Sequence, residues 1–277
     1  MQRTGRFVHL NGIRLHYQQW GEGPNVLVAL HGLRGYGATF RRLALSLGPT
    51  WRVIAPDQRG RGETDWDTRN NYYIPTYLDD LSRLVEHLGL EQFCLLGHSM
   101  GGMVAIVFAA RNPGSVTRVV LEEAGPDAAV DSRGAERIKR ELVTAPLSFS
   151  NLDAAREYLR QVRPGTTPEA IEERVAYMLR QSGNIWTWKH DHAGILQARL
   201  DSAAYRGIDL WSCFEAISCP ALLLKGGHSD YISAELAEKM CARNKNVEFT
   251  AIEGAGHYAH DDQPNQFNLT VKNFLSK

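Results

Sequence analysis

The chain reads as an α/β protein: a mostly parallel, twisted sheet flanked by helices. Three observations predict this. Short, continuously apolar runs recur at residues 26–30, 53–55, 93–96, 119–121 and 221–224, and a more polar one at Val247–Ile252. Uninterrupted apolar runs of that length suit strands buried on both faces. Helical stretches such as 77–88 and 99–110 separate the runs, and strand–helix alternation is the pattern of a parallel sheet covered on both sides. The length, 277 residues, is enough for one large domain or a domain carrying an insertion.

The elements follow in order. Residues alternate around Asn11-Gly12, a pair that tolerates the positive φ of a tight hairpin turn. The run 26–30 leads into His31-Gly32-Leu33-Arg34-Gly35. The run 53–55 leads into Asp57-Gln58-Arg59-Gly60-Arg61-Gly62-Glu63-Thr64, a tight glycine turn expected to hold an internal Asp57–Arg59 pair. The run 93–96 ends at Gly97-His98-Ser99-Met100-Gly101, and 119–121 ends near Glu123. The alternation then breaks. Residues 126–208 read as helical and charged, punctuated by Pro146, Pro164-Gly165 and Pro168, with amphipathic helices at 154–162 and 168–180. We expect a helical cap at 126–208 over a core built from 1–125 and 209–277. The run 221–224 continues through Lys225-Gly226-Gly227-His228-Ser229 to Asp230, and the last run leads to Gly254-Ala255-Gly256-His257.

Composition excludes several classes. Lys plus Arg and Asp plus Glu both number 31, so no net charge draws the chain to nucleic acid or an anionic membrane. No apolar run approaches the length of a membrane span. The first residues carry no apolar leader, and Cys94, Cys213, Cys219 and Cys241 form no C-x-x-C pair. The expectation is a cytoplasmic protein with reduced thiols. No G-x-G-x-x-G fingerprint sits in a strand–helix context, no phosphate-binding P-loop occurs, and His31 has no H-x-x-x-H or carboxylate cluster around it. No cofactor and no metal are expected.

The chemistry starts at Gly97-His98-Ser99-Met100-Gly101. A G-x-S-x-G between a strand and a buried helix is a nucleophile elbow: a sharp turn that lifts the serine hydroxyl out of the sheet. An isolated hydroxyl is a poor nucleophile, so a base and a carboxylate must lie elsewhere. His257, after a Gly-x-Gly that lets the chain bend, is the expected base. His260 is its rival. Asp230 is the favoured acid, since Ser99, Asp230 and His257 occur in the chain order of this arrangement. Glu123, at the end of the neighbouring strand, is the alternative; Asp261 and Asp262 follow the histidine too closely. The backbone N–H groups of Leu33 and Met100 are the expected oxyanion donors, with His31 bracing the loop. Arg34 could meet a substrate carboxylate, and Trp186 or Trp188 could face the pocket.

Five motifs in this order, His31-Gly32, the Asp57 turn, the stretch from Gly97 to Gly102, that from Gly226 to Asp230, and that from Gly254 to His257, resemble the α/β-hydrolase superfamily over nearly the whole chain outside the cap. The Asp57 turn is similar to the family's D-x-R-G-x-G-x-S, with Thr64 for the usual serine. The resemblance implies a serine hydrolase (carboxylesterase- or lactonase-like) that takes a small hydrophobic ester, thioester or lactone through an acyl-enzyme. Its expected partner is a small-molecule ester-like substrate, with no nucleic acid and no membrane. Epoxide hydrolases and haloalkane dehalogenases of the fold carry aspartate at the elbow, where this chain has Ser99. Hydroxynitrile lyases share the serine. C–C hydrolases of ring-cleavage diketones usually carry asparagine where this chain has His98; they are the alternative, together with non-catalytic ligand-binding members of the fold.

Overall fold

The structure is a computed structural model that describes residues 3–201 and 207–277. Asn11 (φ 50°) and Gly12 (φ 75°) turn β1 (Arg3–Leu10) into β2 (Ile13–Trp20) as an antiparallel hairpin. Both turn residues take positive φ, the requirement of the tightest hairpin turn. The Asn11 side-chain amide donates to Asp80 (2.9 Å), tying the hairpin to the helix Ile74–His87.

Each apolar run becomes a strand: β3 (Asn25–Leu30), β4 (Trp51–Pro56), β5 (Phe93–His98) and β6 (Val116–Glu122). Three short strands follow, β7 (Ser148–Phe149), β8 (Leu179–Ser182) and β9 (Ile185–Trp188), and then β10 (Ala221–Gly226) and β11 (Val247–Ile252). The main sheet has eight strands in the order β1-β2-β4-β3-β5-β6-β10-β11. From β4 to β11 all pairs are parallel; the β1–β2–β4 edge is antiparallel. The strand order reverses at β3, which has β4 on one side and β5 on the other. A crevice opens at the carboxyl ends of strands where their order reverses, here between the ends of β3 and β5.

All six residues of β5 are buried. The helix Met100–Arg111 behind it buries everything from Gly101 to Ala109, which is why its sequence is apolar all round instead of striped. The helix Arg133–Thr144 buries one stripe, Gly134, Ala135, Ile138 and Leu142, and its Arg137 and Glu141 form ion pairs beside that stripe.

Between β6 and β10 the chain departs from the expected all-helical insertion. Helices Arg133–Thr144, Leu152–Val162, Pro168–Met178 and His192–Leu200 are present, each with a side-chain N-cap, from Ser132, Asn151, Thr167 and Asp191. Alongside them β7, β9 and β8 pair as a small antiparallel sheet. Trp186-Thr187-Trp188 supplies strand-favouring side chains, and Gly183 (φ 60°) provides the turn between β8 and β9.

The Asp57 turn also differs from expectation. Asp57 does not pair with Arg59. Its carboxylate is already engaged by His16 Nδ1 (2.7 Å) and the amides of Gly37 and Glu63, while Arg59 forks onto Asp80 and reaches Asp67. Thr64 fills the usual serine position: its hydroxyl donates to the Asp57 carbonyl and accepts from the His16 amide.

Candidate active site

Ser99 sits between β5 and the following helix with φ 54° and ψ −118°. A non-glycine residue there is strained and persists when its surroundings over-determine it. They do: the Ser99 amide donates to the Glu122 carbonyl (2.9 Å), and the Ser99 carbonyl accepts from Gly102 and Met103. Close approach fixes the neighbouring residue types. A Cβ at Gly101 would stand 2.4 Å from the Leu30 carbonyl oxygen, and one at Gly32 would stand 2.7 Å from His98 Nδ1. The two glycines therefore let the elbow and the loop after β3 close on each other.

His257 follows β11 and lines one cavity together with Ser99, His31, Leu33 and His98. Its Nδ1 lies 3.2 Å from Glu123 Oε2. A carboxylate on Nδ1 holds the proton there and leaves Nε2 as the basic nitrogen. Glu123 has φ 52°, is fully buried, and stands directly after β6. Its Oε1 accepts from the Gly226 amide (2.7 Å) and its Oε2 from the Ser229 hydroxyl (2.5 Å).

Asp230, the acid favoured from chain order, is elsewhere. Arg137 grips it with two bonds, 2.9 and 2.8 Å, and holds its carboxyl below the usual carboxylate range. The loop after β10 turns Ser229 inward, onto Glu123, and Asp230 outward, where its side chain is 31% exposed. The structure thus brings Ser99, His257 and Glu123 to one sheet edge and puts Asp230 in a surface ion pair.

Leu33 and Met100 both line the cavity beside Ser99. Among the described residues no turn or loop bond uses either amide. His31 braces its loop as expected. Its Nδ1 donates to the Gly32 carbonyl and its Nε2 accepts the Gln58 amide, and burial pulls its pKa down to about 4. Arg34 reaches the cavity wall but is ion-paired with Glu141 at 3.0 Å. Trp186 and Trp188 do not line the two cavities at Ser99. Trp188 packs on Phe149 and Tyr158 and donates to the Pro146 carbonyl (2.7 Å), which is where the aromatic character of β9 is spent.

His260, the rival base, is bound to Glu122 through Nδ1 at 2.7 Å. Burial alone would discharge its ring, but Glu122 and Asp261 outweigh burial and its pKa is raised. His98 is the reverse case: burial, then His257 and His260, drive its pKa well down, and the neutral ring donates from Nε2 to the His257 carbonyl (2.8 Å). His98, Glu122 and His260 offer ligand atoms within 4.8 Å of one another, but their hydrogen bonds already pair them with each other and with the His257 backbone. Sequence reading missed Glu122, Ser229 and His98 as supports. Two adjacent glutamates closing an apolar strand were the available signal.

A serine on a strained strand-to-helix turn, sharing a cavity with an imidazole at the carboxyl edge of a parallel sheet, is the arrangement of an α/β hydrolase. The alpha/beta hydrolase fold family matches residues 25–264, and the chain belongs to that family of hydrolases. It is similar to a 3-hydroxybutyrate-oligomer hydrolase of Cupriavidus necator, 30% identical, covering 94% of this chain and 92% of that one. It is also similar to a 2-(acetamidomethylene)succinate hydrolase of Mesorhizobium japonicum, 26% identical over 98% of this chain and 94% of the other. The crystal structure of an E-2-(acetamidomethylene)succinate hydrolase shares the fold with a TM-score of 0.89 at 24% identity, covering 100% of both chains. Among the described residues no helix is long and apolar enough to cross a membrane.

Proposed function

We propose that the protein is a serine hydrolase that cleaves the carboxylic ester of a small substrate, with Ser99 as nucleophile, His257 as base and Glu123 as the acid behind it. The observation that carries this reading is the Glu123–His257 contact at 3.2 Å on a ring that shares a cavity with Ser99. Resemblance to a hydrolase of 3-hydroxybutyrate oligomers supports it, because a hydroxy-acid oligomer is an ester.

His257 Nε2 takes the Ser99 proton as the hydroxyl oxygen attacks the ester carbonyl. Negative charge gathers on the carbonyl oxygen, where the Leu33 and Met100 amides receive it. The imidazolium formed is stabilised by Glu123, and it then gives its proton to the departing alcohol. Water, deprotonated by the same ring, attacks the acyl-enzyme and releases the acid. The reaction balances with water alone. The cavity beside Ser99, about 80 Å3 with Leu33, Ile74, Met103 and Ile195 in its wall, suits a short acyl or alcohol group.

The test is turnover of short-chain 4-nitrophenyl esters by the wild type and by Ser99→Ala, with fluorophosphonate labelling read by mass spectrometry. The expected result is steady turnover, a label on Ser99, and a loss of roughly 10³-fold or more in the variant. Wild-type-like turnover by Ser99→Ala would overturn the assignment. A single slow acylation without turnover would mark a ligand-binding member of the fold instead.

A further inference from the structure

Arg61 is fully buried and lines the cavity beside Ser99. Its neighbours are unusual for so buried a cation. Nε donates to the Leu33 carbonyl (2.9 Å), Nη1 to the Arg59 carbonyl (2.6 Å) and the Tyr77 hydroxyl, and Nη2 to the Met100 sulfur at 3.7 Å. The guanidinium lies 5.3 Å from the Tyr72 ring centre and 5.2 Å from that of Tyr77. Every partner is neutral. Three other buried arginines are ion-paired, Arg59 with Asp67 and Asp80, Arg34 with Glu141 and Arg174 with Asp261; Arg163, like Arg61, is not, and lies over the Tyr258 ring at 3.6 Å. Among the described residues no ion pair reaches Arg61.

A buried charge is normally paired, because removing it from water is costly. Carbonyls and aromatic faces lower that cost without cancelling the charge. The weakest bond is on the Met100 side, adjacent to Ser99. A guanidinium carries five N–H donors in a planar fork, and a thioether is a poor acceptor for one of them. No aspartate or glutamate appears in the wall of either cavity at Ser99 among the described residues. Arg199 adds a second cation to the same wall, with its Nη2 on the Ala129 carbonyl (3.0 Å). In a chain of zero net charge, the cavity is a local excess of positive charge with apolar walls.

We propose that Arg61 receives a carboxylate of the substrate, so that the ester cleaved at Ser99 carries a free carboxylate a few atoms away, as in a monoester of a dicarboxylic acid or an oligomer of a hydroxy acid. This rests on the reading of Ser99 as the nucleophile. With Nε and Nη1 held by neutral acceptors, Nη2 is the end that meets the carboxylate, in place of the Met100 sulfur, and a charge-assisted bond is strongest in a dry pocket. The Nε bond to the Leu33 carbonyl would tie that recognition to the loop carrying one oxyanion donor.

The experiment compares monobutyl glutarate with butyl glutaramate, an ester of the same shape whose far end is a neutral amide. The ratio of kcat/KM values, acid over amide, is measured within each protein, so a general fall in activity cancels. The expected ratio is at least about tenfold in the wild type, near one in Arg61→Met, and intermediate in Arg61→Lys, which keeps the charge without the fork. Calorimetric binding of the same two esters to Ser99→Ala should show the same preference, and this arm needs no turnover. If the wild type cleaves no ester at all, the hydrolase reading fails while the binding arm still decides the role of Arg61. A ratio of one in the wild type with equal binding, or an unchanged ratio in Arg61→Met, would overturn the proposal. Should Arg61→Met fail to fold by circular dichroism, Arg61→Lys carries the comparison, and a full wild-type ratio in it would overturn the proposal that the guanidinium is the receiving group.

Discussion

Glu123 and Asp230 leave adjacent strands at the same sheet edge, and their surroundings give them opposite work. Glu123 is fully buried, accepts the Gly226 amide and the Ser229 hydroxyl, and faces His257 Nδ1. Asp230 is partly exposed and spends its oxygens on Arg137. Glu123→Gln should therefore cost much more activity than Asp230→Asn. An amide at 123 can present an N–H to Nδ1, forcing the proton onto Nε2, the tautomer that cannot accept from Ser99. The expected loss in kcat on a short ester is about 10³–10⁴-fold, the scale seen when such an acid is neutralised. Asp230→Asn should leave kcat within a few-fold and lower the urea midpoint slightly, as for a partly exposed ion pair worth about 0.2–1 kcal/mol. Steady-state kinetics and urea unfolding of both variants check this, and the opposite ranking would return the acid to Asp230. Ser99 and His257 stand out in the sequence as candidates because a backbone geometry marks each: an elbow, and a Gly-x-Gly bend. A candidate acid has no such local mark. Which carboxylate reaches the ring depends on which way the loop after β10 turns, and Ser229, not Asp230, takes the inward position.

The strands of the main sheet were readable for a physical reason. Buried on both faces, β3, β5 and β10 have no polar alternation to obscure their extent. The small sheet of β7, β8 and β9 was not readable, since its strands have two to four residues and one face packs on neighbouring helices. Trp188 holds that sheet in place. It is 4% exposed, stands edge-on to Phe149 at 5.2 Å, and bonds the Pro146 carbonyl. Trp188→Ala should destabilise the protein by about 3–5 kcal/mol, the range for deleting a buried aromatic. Trp188→Phe keeps the packing and loses the indole bond, for about 1 kcal/mol. Because the residue does not line the cavities at Ser99, the phenylalanine variant should retain kcat/KM on a short ester within a few-fold. Urea midpoints and kinetics on the two variants test the element. A large KM change in Trp188→Phe at unchanged stability would put the indole in the substrate's path.

Across the whole molecule, the buried histidines set the response to acid. Burial lowers the pKa of His31 to about 4 and puts those of His98 and His190 well below the ordinary value; His192 is lowered too. An unfolded chain takes up these protons near pH 6.5, whereas the native state refuses them until much lower pH. The unfolded state therefore binds more protons in that window, and stability falls as pH drops through it. For His31 alone the span from 6.5 to about 4 corresponds to about 3 kcal/mol, at roughly 1.4 kcal/mol per unit. His260 has the opposite sign. Its raised pKa adds stability that is full below pH 6.5 and lost as pH rises through the folded value. Asp80 and Glu173, both raised by burial, also gain on acidification. Asp57 and Asp261 are depressed, so their contribution persists until the pH nears 3.8 and lies outside the window. Three fully buried imidazoles held neutral outweigh one held charged and two weaker carboxyl terms. The urea midpoint should therefore fall steadily between pH 6.5 and 4.5, and a flat or rising profile would contradict the balance. The loss should reach the loop that presents Leu33 only as the pH nears 4, where a proton on His31 Nε2 removes the acceptor of the Gln58 amide.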